Sequence, residues 1–160
     1  MKGQTNEVVD PNARIADLVG LLHVMDTVFQ GKVDLFELEK EMEVDLDDLM
    51  PIVYTASALG LVTAEAGNLY LTPAGSDFIH AGMRRRKEII REAIRNLEPF
   101  ATALSMREFE LPALMDELQK KGVQTYNSPT GLHDLEVLLI EWGIYSGLLR
   151  KKTARFRTVG

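Results

Sequence analysis

The 160-residue chain has no cysteine and one tryptophan. Without thiols there is no disulfide, no zinc–thiolate site and no cysteine nucleophile, a composition that fits a reducing cytoplasm. Histidine is scarce as well: His23, His80 and His133 stand alone, with no His-x-x-x-His pair to hold a metal from one helix face. No Gly-x-Ser-x-Gly elbow is present. No Gly-x-x-x-x-Gly-Lys loop is present either, since Gly31-Lys32 lacks the first glycine and the following hydroxyl residue, so no ATP site is expected. Long apolar runs are missing. The longest uncharged stretch, "LMPIVYTASALGLVTA" (49–64), is too short to span a bilayer and is broken by Pro51 and Gly60. The N-terminus "MKGQTNEVVD" is polar and does not read as a signal peptide. Basic residues are also in deficit. The 24 acids outnumber the 18 bases and leave a net charge of −6, which disfavours general nucleic-acid binding. No enzyme activity, metal or cofactor is expected.

What is present is enough apolar residue, 46% of the chain, to bury an ordinary core. After a loose arm over residues 1–9, Asp10-Pro11 offers a cap followed by proline at the first helical position. Ile15, Leu18, Val19, Leu22, Met25 and Phe29 then recur at helical spacing up to a stop at Gly31. A short helix follows over 35–43. Asp45 is placed to cap the next one, with Asp48 in a box-like position, and Leu46, Leu49, Ile52, Val53, Ala56 and Leu59 form its inner stripe. "LVTAEAGNLYLT" reads as strand, turn at Gly67-Asn68, and strand. Thr72-Pro73 repeats the cap-plus-proline signal and opens a long helix, roughly 73–97, which Pro99 ends.

The second half echoes the first. "LDDLMPIVYTASALGLV" (46–62) can be laid on "LHDLEVLLIEWGIYSGLL" (132–149). A short amphipathic helix precedes each, Ser128-Pro129 supplies another cap with proline, and "RKKTARFRTV" completes a second, shorter hairpin. The expected fold is mainly α with small β-hairpin wings: tandem winged-helix, helix-turn-helix-like units over 10–82 and 83–160, joined by the long helix.

A winged helix raises DNA binding, but the charges argue against it in the first unit. "DLFELEKEMEVDLDD" (34–48) carries eight acids and one lysine, a face that repels phosphates. Residues 46–59 contain no Arg, Lys, Asn or Gln for bidentate base reading. The candidate partner-binding residues are therefore the acidic Asp34, Glu37, Glu41, Asp45, Asp47 and Asp48, and the basic Arg150, Lys151, Lys152, Arg155 and Arg157, complementary in sign. "RRRK" (84–87) reads as a solvated helix face paired with Glu88 and Glu92. Trp142, Tyr145 and Phe100 read as core.

"VDLDDLMPIVYTASALGLVTAEAGNLYLTPAGSDFI", with "RRRKEIIREAI" and "LIEWGIYSGLL" further on, resembles the AAA-associated C-terminal domain found behind the ATPase subunit of ABC importers of the nitrate, sulfonate, taurine and bicarbonate type. The marks are the acidic "DLDDLMPIV", the helix end "ALGLV" and "LYLTPAG", and the resemblance spans roughly residues 12–150. It implies a non-enzymatic regulatory or protein-interaction module. Its partners would be an ABC transporter ATPase or permease subunit, or a second copy of itself. It would lie in the cytoplasm, peripheral to the inner membrane through the transporter. Two features depart from the family: no ATPase precedes the domain in these residues, so a separate protein or an excised domain is expected, and the last segment is strongly basic. The alternative is a winged-helix transcription regulator that lays the basic C-terminal wing on DNA. A small-molecule sensor is the third reading.

Overall fold

The computed structural model describes residues 7–159, which divide into two compact units, residues 12–86 and residues 7–11 with 87–159. The boundary falls inside one helix. Among the described residues no helix is long and apolar enough to cross a membrane.

The first unit begins with helix α1 (Ile15–Thr27), which buries Leu18, Leu21, Leu22 and Met25. The cap expected at Asp10-Pro11 is not used. A turn follows Asp10, and the helix starts only after Arg14. Strand β1 (Lys32–Asp34), helix α2 (Leu35–Met42) and helix α3 (Leu46–Ala58) follow. The hairpin β2 (Val62–Glu65) and β3 (Asn68–Leu71) closes an antiparallel sheet of order β1-β3-β2, with Val33 opposite Leu69 at its buried centre. The turn falls one residue earlier than expected, on Ala66 and Gly67, both at positive φ. That is the two-residue turn whose twist matches paired strands.

Helix α4 (Pro73–His80) starts as the sequence reading expects: the Thr72 hydroxyl accepts from the Gly75 N–H at 2.9 Å, with Pro73 in the first turn. The single long helix over 73–97 is not formed. The chain turns extended at Ala81 (ψ 157°) and restarts as α5 (Met83–Ile94). The break is stabilised by Arg86, whose guanidinium donates to the carbonyls of Phe78 and Ile79 at 3.1 and 2.7 Å and lies over the Phe78 ring. A cation thus satisfies the orphan carbonyls of α4 in place of a continuing helix.

The second unit repeats the order of elements. Helix α6 (Phe100–Met106) is followed by strand β4 (Glu108–Glu110), helix α7 (Leu111–Lys120) and helix α8 (Gly131–Leu138). A π-turn (Leu139–Ile144) extends α8, and the hairpin β5 (Leu149–Lys152) and β6 (Arg155–Thr158) completes the unit. The sheet order β4-β6-β5 matches that of the first sheet. Phe109 opposes Phe156 at its centre, the rings stacked 5.7 Å apart. Trp142 and Phe100 are fully buried, and Tyr145 is half-buried with Lys87 over its ring. The π-turn brings Gly143 against Leu149 and Phe100, so close that a Cβ would overlap both.

Of the expected loose arm, residues 1–6 lie outside the described residues. Residues 8 and 9 are tied down: Val8 bridges Glu98, the Val9 N–H donates to the Glu98 carbonyl at 2.9 Å, and Val9 is buried. The Tyr126 hydroxyl donates to the Val9 carbonyl at 3.1 Å. An apolar side chain and two backbone groups leave water together here, which a free arm would not offer.

Candidate functional site

The acidic candidates all lie in the unit of residues 12–86, and they divide by role. Asp34 ends β1 and caps α2, its carboxylate accepting from the N–H groups of Phe36 (2.7 Å) and Glu37 (3.4 Å). Glu37 and Glu41 are exposed along α2, where with Phe29 and Lys40 they line a shallow depression of about 290 Å³. Asp45, Asp47 and Asp48 are exposed at the start of α3, where negative charge suits the helix dipole. Asp45 does not cap α3 through its side chain. Glu39 takes that place from seven residues upstream, accepting from the Leu46 N–H at 2.6 Å. The box-like reading of Asp45 and Asp48 is corrected accordingly: the reach across the α2–α3 corner supplies a better-placed carboxylate.

Two aromatics on these helices carry a signal that periodicity offered and the sequence reading passed over. Phe36 and Tyr54 fall off the inner stripes of α2 and α3 and are 71% and 63% exposed.

The basic candidates lie on the β4-β6-β5 sheet and point to two faces. Lys151 shares the inner face with Phe156. Its ammonium lies over that ring and pairs with Glu136 at 2.9 Å. Arg150, Lys152, Arg155 and Arg157 share the outer face with Glu108 and Glu110. Arg155 takes both carboxylates, at 3.6 and 3.2 Å. Arg150, Lys152 and Arg157 have no carboxylate partner among the described residues. Arg150 sits directly opposite Arg157, and Lys152 directly opposite Arg155. Like charges paired across strands destabilise a sheet.

Three exposed or part-exposed side chains have specific structural duties. His80 pairs with Asp26 at 3.0 Å. Arg91 donates to the Ser146 carbonyl at 2.9 Å, so not all of the basic α5 is a solvated face. Lys121 is bound to the buried Glu98 at 3.2 Å and to the Thr102 hydroxyl at 2.8 Å. Glu98 also accepts from the Thr102 N–H and hydroxyl, so every oxygen of this buried carboxylate is engaged. Tyr126, nearby in the same unit, has its hydroxyl pKa pushed far above the ordinary tyrosine value, first by burial and then by the negative charges of Asp10 and Glu98. Among the described residues no group of three or more His, Asp or Glu side chains is placed to hold a metal ion.

The net charge is segregated. Residues 12–86 hold twelve of the 24 acids but only six of the 18 bases, so the whole net charge of −6 resides there and the remainder is neutral. Within that neutral remainder the outer sheet face is cationic.

No curated protein and no solved structure matches the chain. The model of the C-terminal AAA-associated domain matches residues 36–152, from α2 through β5, and leaves out β1 and β6, one strand of each sheet. On that match the chain belongs to the C-terminal AAA-associated domain family.

Proposed function

We propose that the chain is a non-enzymatic regulatory or interaction module that docks on an AAA/ABC-type ATPase, of the nitrate/sulfonate importer kind, at the cytoplasmic side. In this reading its two units are tandem winged helices. The repeated order of helix, edge strand, two helices and hairpin supports that name, as does the common strand order of the two sheets. Family membership supports the ATPase as partner.

The observation that carries the docking surface is the pair of helices α2 and α3, which expose Phe36 and Tyr54 and whose run 34–48 holds eight carboxylates and one lysine. Aromatic anchors within a charged rim are the usual makeup of an interface, and the sign of the rim selects a basic partner. The same corner would hold the recognition helix of a DNA reader. There it presents Asp47 and Asp48, with no base-reading side chain, which favours a protein partner over duplex DNA.

The test is an affinity capture from a detergent extract of the source cells, with the wild-type chain and the Asp47→Lys/Asp48→Lys and Phe36→Ala variants as bait. Recovery of an ABC ATPase or permease that weakens at least about tenfold in the variants supports the reading, since hot-spot truncations cost about 2 kcal/mol or more. Recovery that both variants leave unchanged at low salt sinks the acidic corner as the surface. Recovery of DNA and transcription proteins without a transporter subunit replaces the reading by the regulator alternative.

A further inference from the structure

We propose that the outer side of the β4-β6-β5 sheet, with the α6–β4 corner, is a binding site for a phosphate-bearing ligand. The inference is independent of the ATPase reading. Arg95 follows α5, Arg107 follows α6 and Arg157 lies in β6, and these three elements bring their guanidinium groups around one depression of about 500 Å³. Its only carboxylate is Glu108, which is drawn toward Arg155 on the neighbouring strand. Arg95, Arg107 and Arg157 have no carboxylate partner among the described residues. A second depression of about 370 Å³ adjoins it across Glu108 and Arg157, and Arg150, Lys152 and Arg155 line it. Five of these six cations are arginines, whose planar fork fits phosphate oxygens in bidentate fashion.

Two features carry a local cost in the free protein that other side chains at the same positions would avoid. One is the register of β5 on β6, which sets Arg150 against Arg157 and Lys152 against Arg155, a repulsion that Glu108 and Glu110 on the other side of β6 offset only in part, since both reach to Arg155. The other is the backbone of Arg107, at φ 69° and ψ −52°. This is the strained region of the γ-turn, which glycine enters freely and a long side chain does not. Strain of this kind is kept where a side chain is needed at that spot. Bound phosphate relieves the like-charge pairs, and the Arg107 side chain provides a donor at the rim.

The shape of the face narrows the ligand. Phe109 and Phe156 point inward, so no outward aromatic offers a stacking platform for bases along a single strand. The helix ahead of this hairpin (131–144) carries Asp134, Glu136 and Glu141 and no lysine or arginine, so duplex DNA would meet repulsion beside the hairpin. A compact group with several phosphate oxygens fits both depressions. Its source is either a free polyphosphate or a phosphorylated lipid headgroup.

The test uses the full chain at low salt, titrated with sodium tripolyphosphate by calorimetry. In parallel, phosphatidylcholine vesicles with and without phosphatidic acid are used in a sedimentation assay. The variants are Arg95→Ala, Arg157→Ala and Arg107→Gly. Tripolyphosphate binding that weakens about tenfold or more in each variant supports a soluble ligand, because a hydrogen bond to a charged group contributes about that factor. Vesicle binding that requires phosphatidic acid and falls in the same variants supports the lipid source. Arg107→Gly separates ligand loss from misfolding: it should bind more weakly while its melting temperature stays equal or rises. Binding of neither probe, or binding that the three variants leave unchanged, overturns the site.

Discussion

Two glycines in helices of the same unit should respond to alanine in opposite directions. Gly75 lies in the first turn of α4, where the chain packs on the carbonyl of Leu61. An ideal Cβ on Gly75 falls 2.8 Å from Leu71 Cδ1 and 3.1 Å from the Leu61 carbonyl carbon, and closer still to that carbonyl oxygen, where separations under 3.0 Å are essentially never tolerated. The oxygen cannot simply retreat, since it accepts from the Thr72 N–H at 3.1 Å. The Thr72 hydroxyl also donates to the Gly60 carbonyl at 2.7 Å while accepting from Gly75 at 2.9 Å. Relieving the overlap lifts the start of α4 and strains both Thr72 bonds. Overpacking costs about 1–3 kcal/mol, and loss of an N-cap costs about 1 kcal/mol. Helix propensity returns up to about 1 kcal/mol for glycine to alanine. Gly75→Ala should therefore destabilise by about 1–3 kcal/mol. Gly20, inside α1, has nothing within 4 Å of an added Cβ, so Gly20→Ala should gain propensity alone, up to about 1 kcal/mol. Urea unfolding of both variants, followed by far-UV circular dichroism, reads the same unit in each case. A midpoint for Gly75→Ala equal to or above that of Gly20→Ala would refute the close approach of α4 to Leu61.

Two further tests address the caps and the buried tyrosine. Glu39→Ala should destabilise by about 1 kcal/mol or more through loss of the α3 cap, whereas Asp45→Ala should cost distinctly less; equal effects in urea titration would reject the seven-residue reach of Glu39. Tyr126→Phe removes the hydrogen bond to Val9 and should lower stability at neutral pH by about 1 kcal/mol. Because burial raises the folded-state pKa of Tyr126 above its unfolded value, the neutral phenol's contribution is intact below about pH 10 and is lost as pH rises beyond it. The wild-type chain should therefore lose stability more steeply than Tyr126→Phe above that pH, and parallel curves in alkaline unfolding would contradict the burial.

The elements that the sequence revealed are those with a local cause. Helical spacing located α1 and α3, Thr72-Pro73 located the start of α4, and the turn residues near Gly67 located the first hairpin to within one position. The third strand of each sheet was not legible. "KVD" and "EFE" are three residues long and contribute one buried side chain apiece, too little for an alternating pattern. The break at Ala81 was hidden for a different reason: its stabilising partner, Arg86, lies beyond the break and acts by reaching back. Glu39 capped α3 from across a corner that no spacing rule describes. Charge was the most legible property of the candidate surfaces, and convergence was the least. The acidic run was visible because α2 and α3 are adjacent in sequence. Arg95 and Arg107 escaped notice because only the fold brings them to Arg157.

The departures from stability-optimal choices are concentrated, and that concentration bears on function. A sequence that specifies its fold well agrees with itself at most levels, and the exceptions gather where something else is selected. The buried polar groups of this chain are satisfied: Glu98 is held by Thr102 and Lys121, and among the described residues no buried side-chain nitrogen or oxygen lacks a partner. The exceptions are on the outside. Phe36 and Tyr54 stand exposed on one unit, while the other opposes arginine to arginine across a sheet and holds Arg107 in a conformation suited to glycine. An inert spacer would have no reason to keep either arrangement, since Phe36→Ser and Arg107→Gly are open to it without loss of core. On the two readings proposed above they are contact surfaces of opposite sign on two separately packed units, one suited to a basic protein face and one to phosphate. The two proposals can be tested separately, because each surface lies within one of the two units.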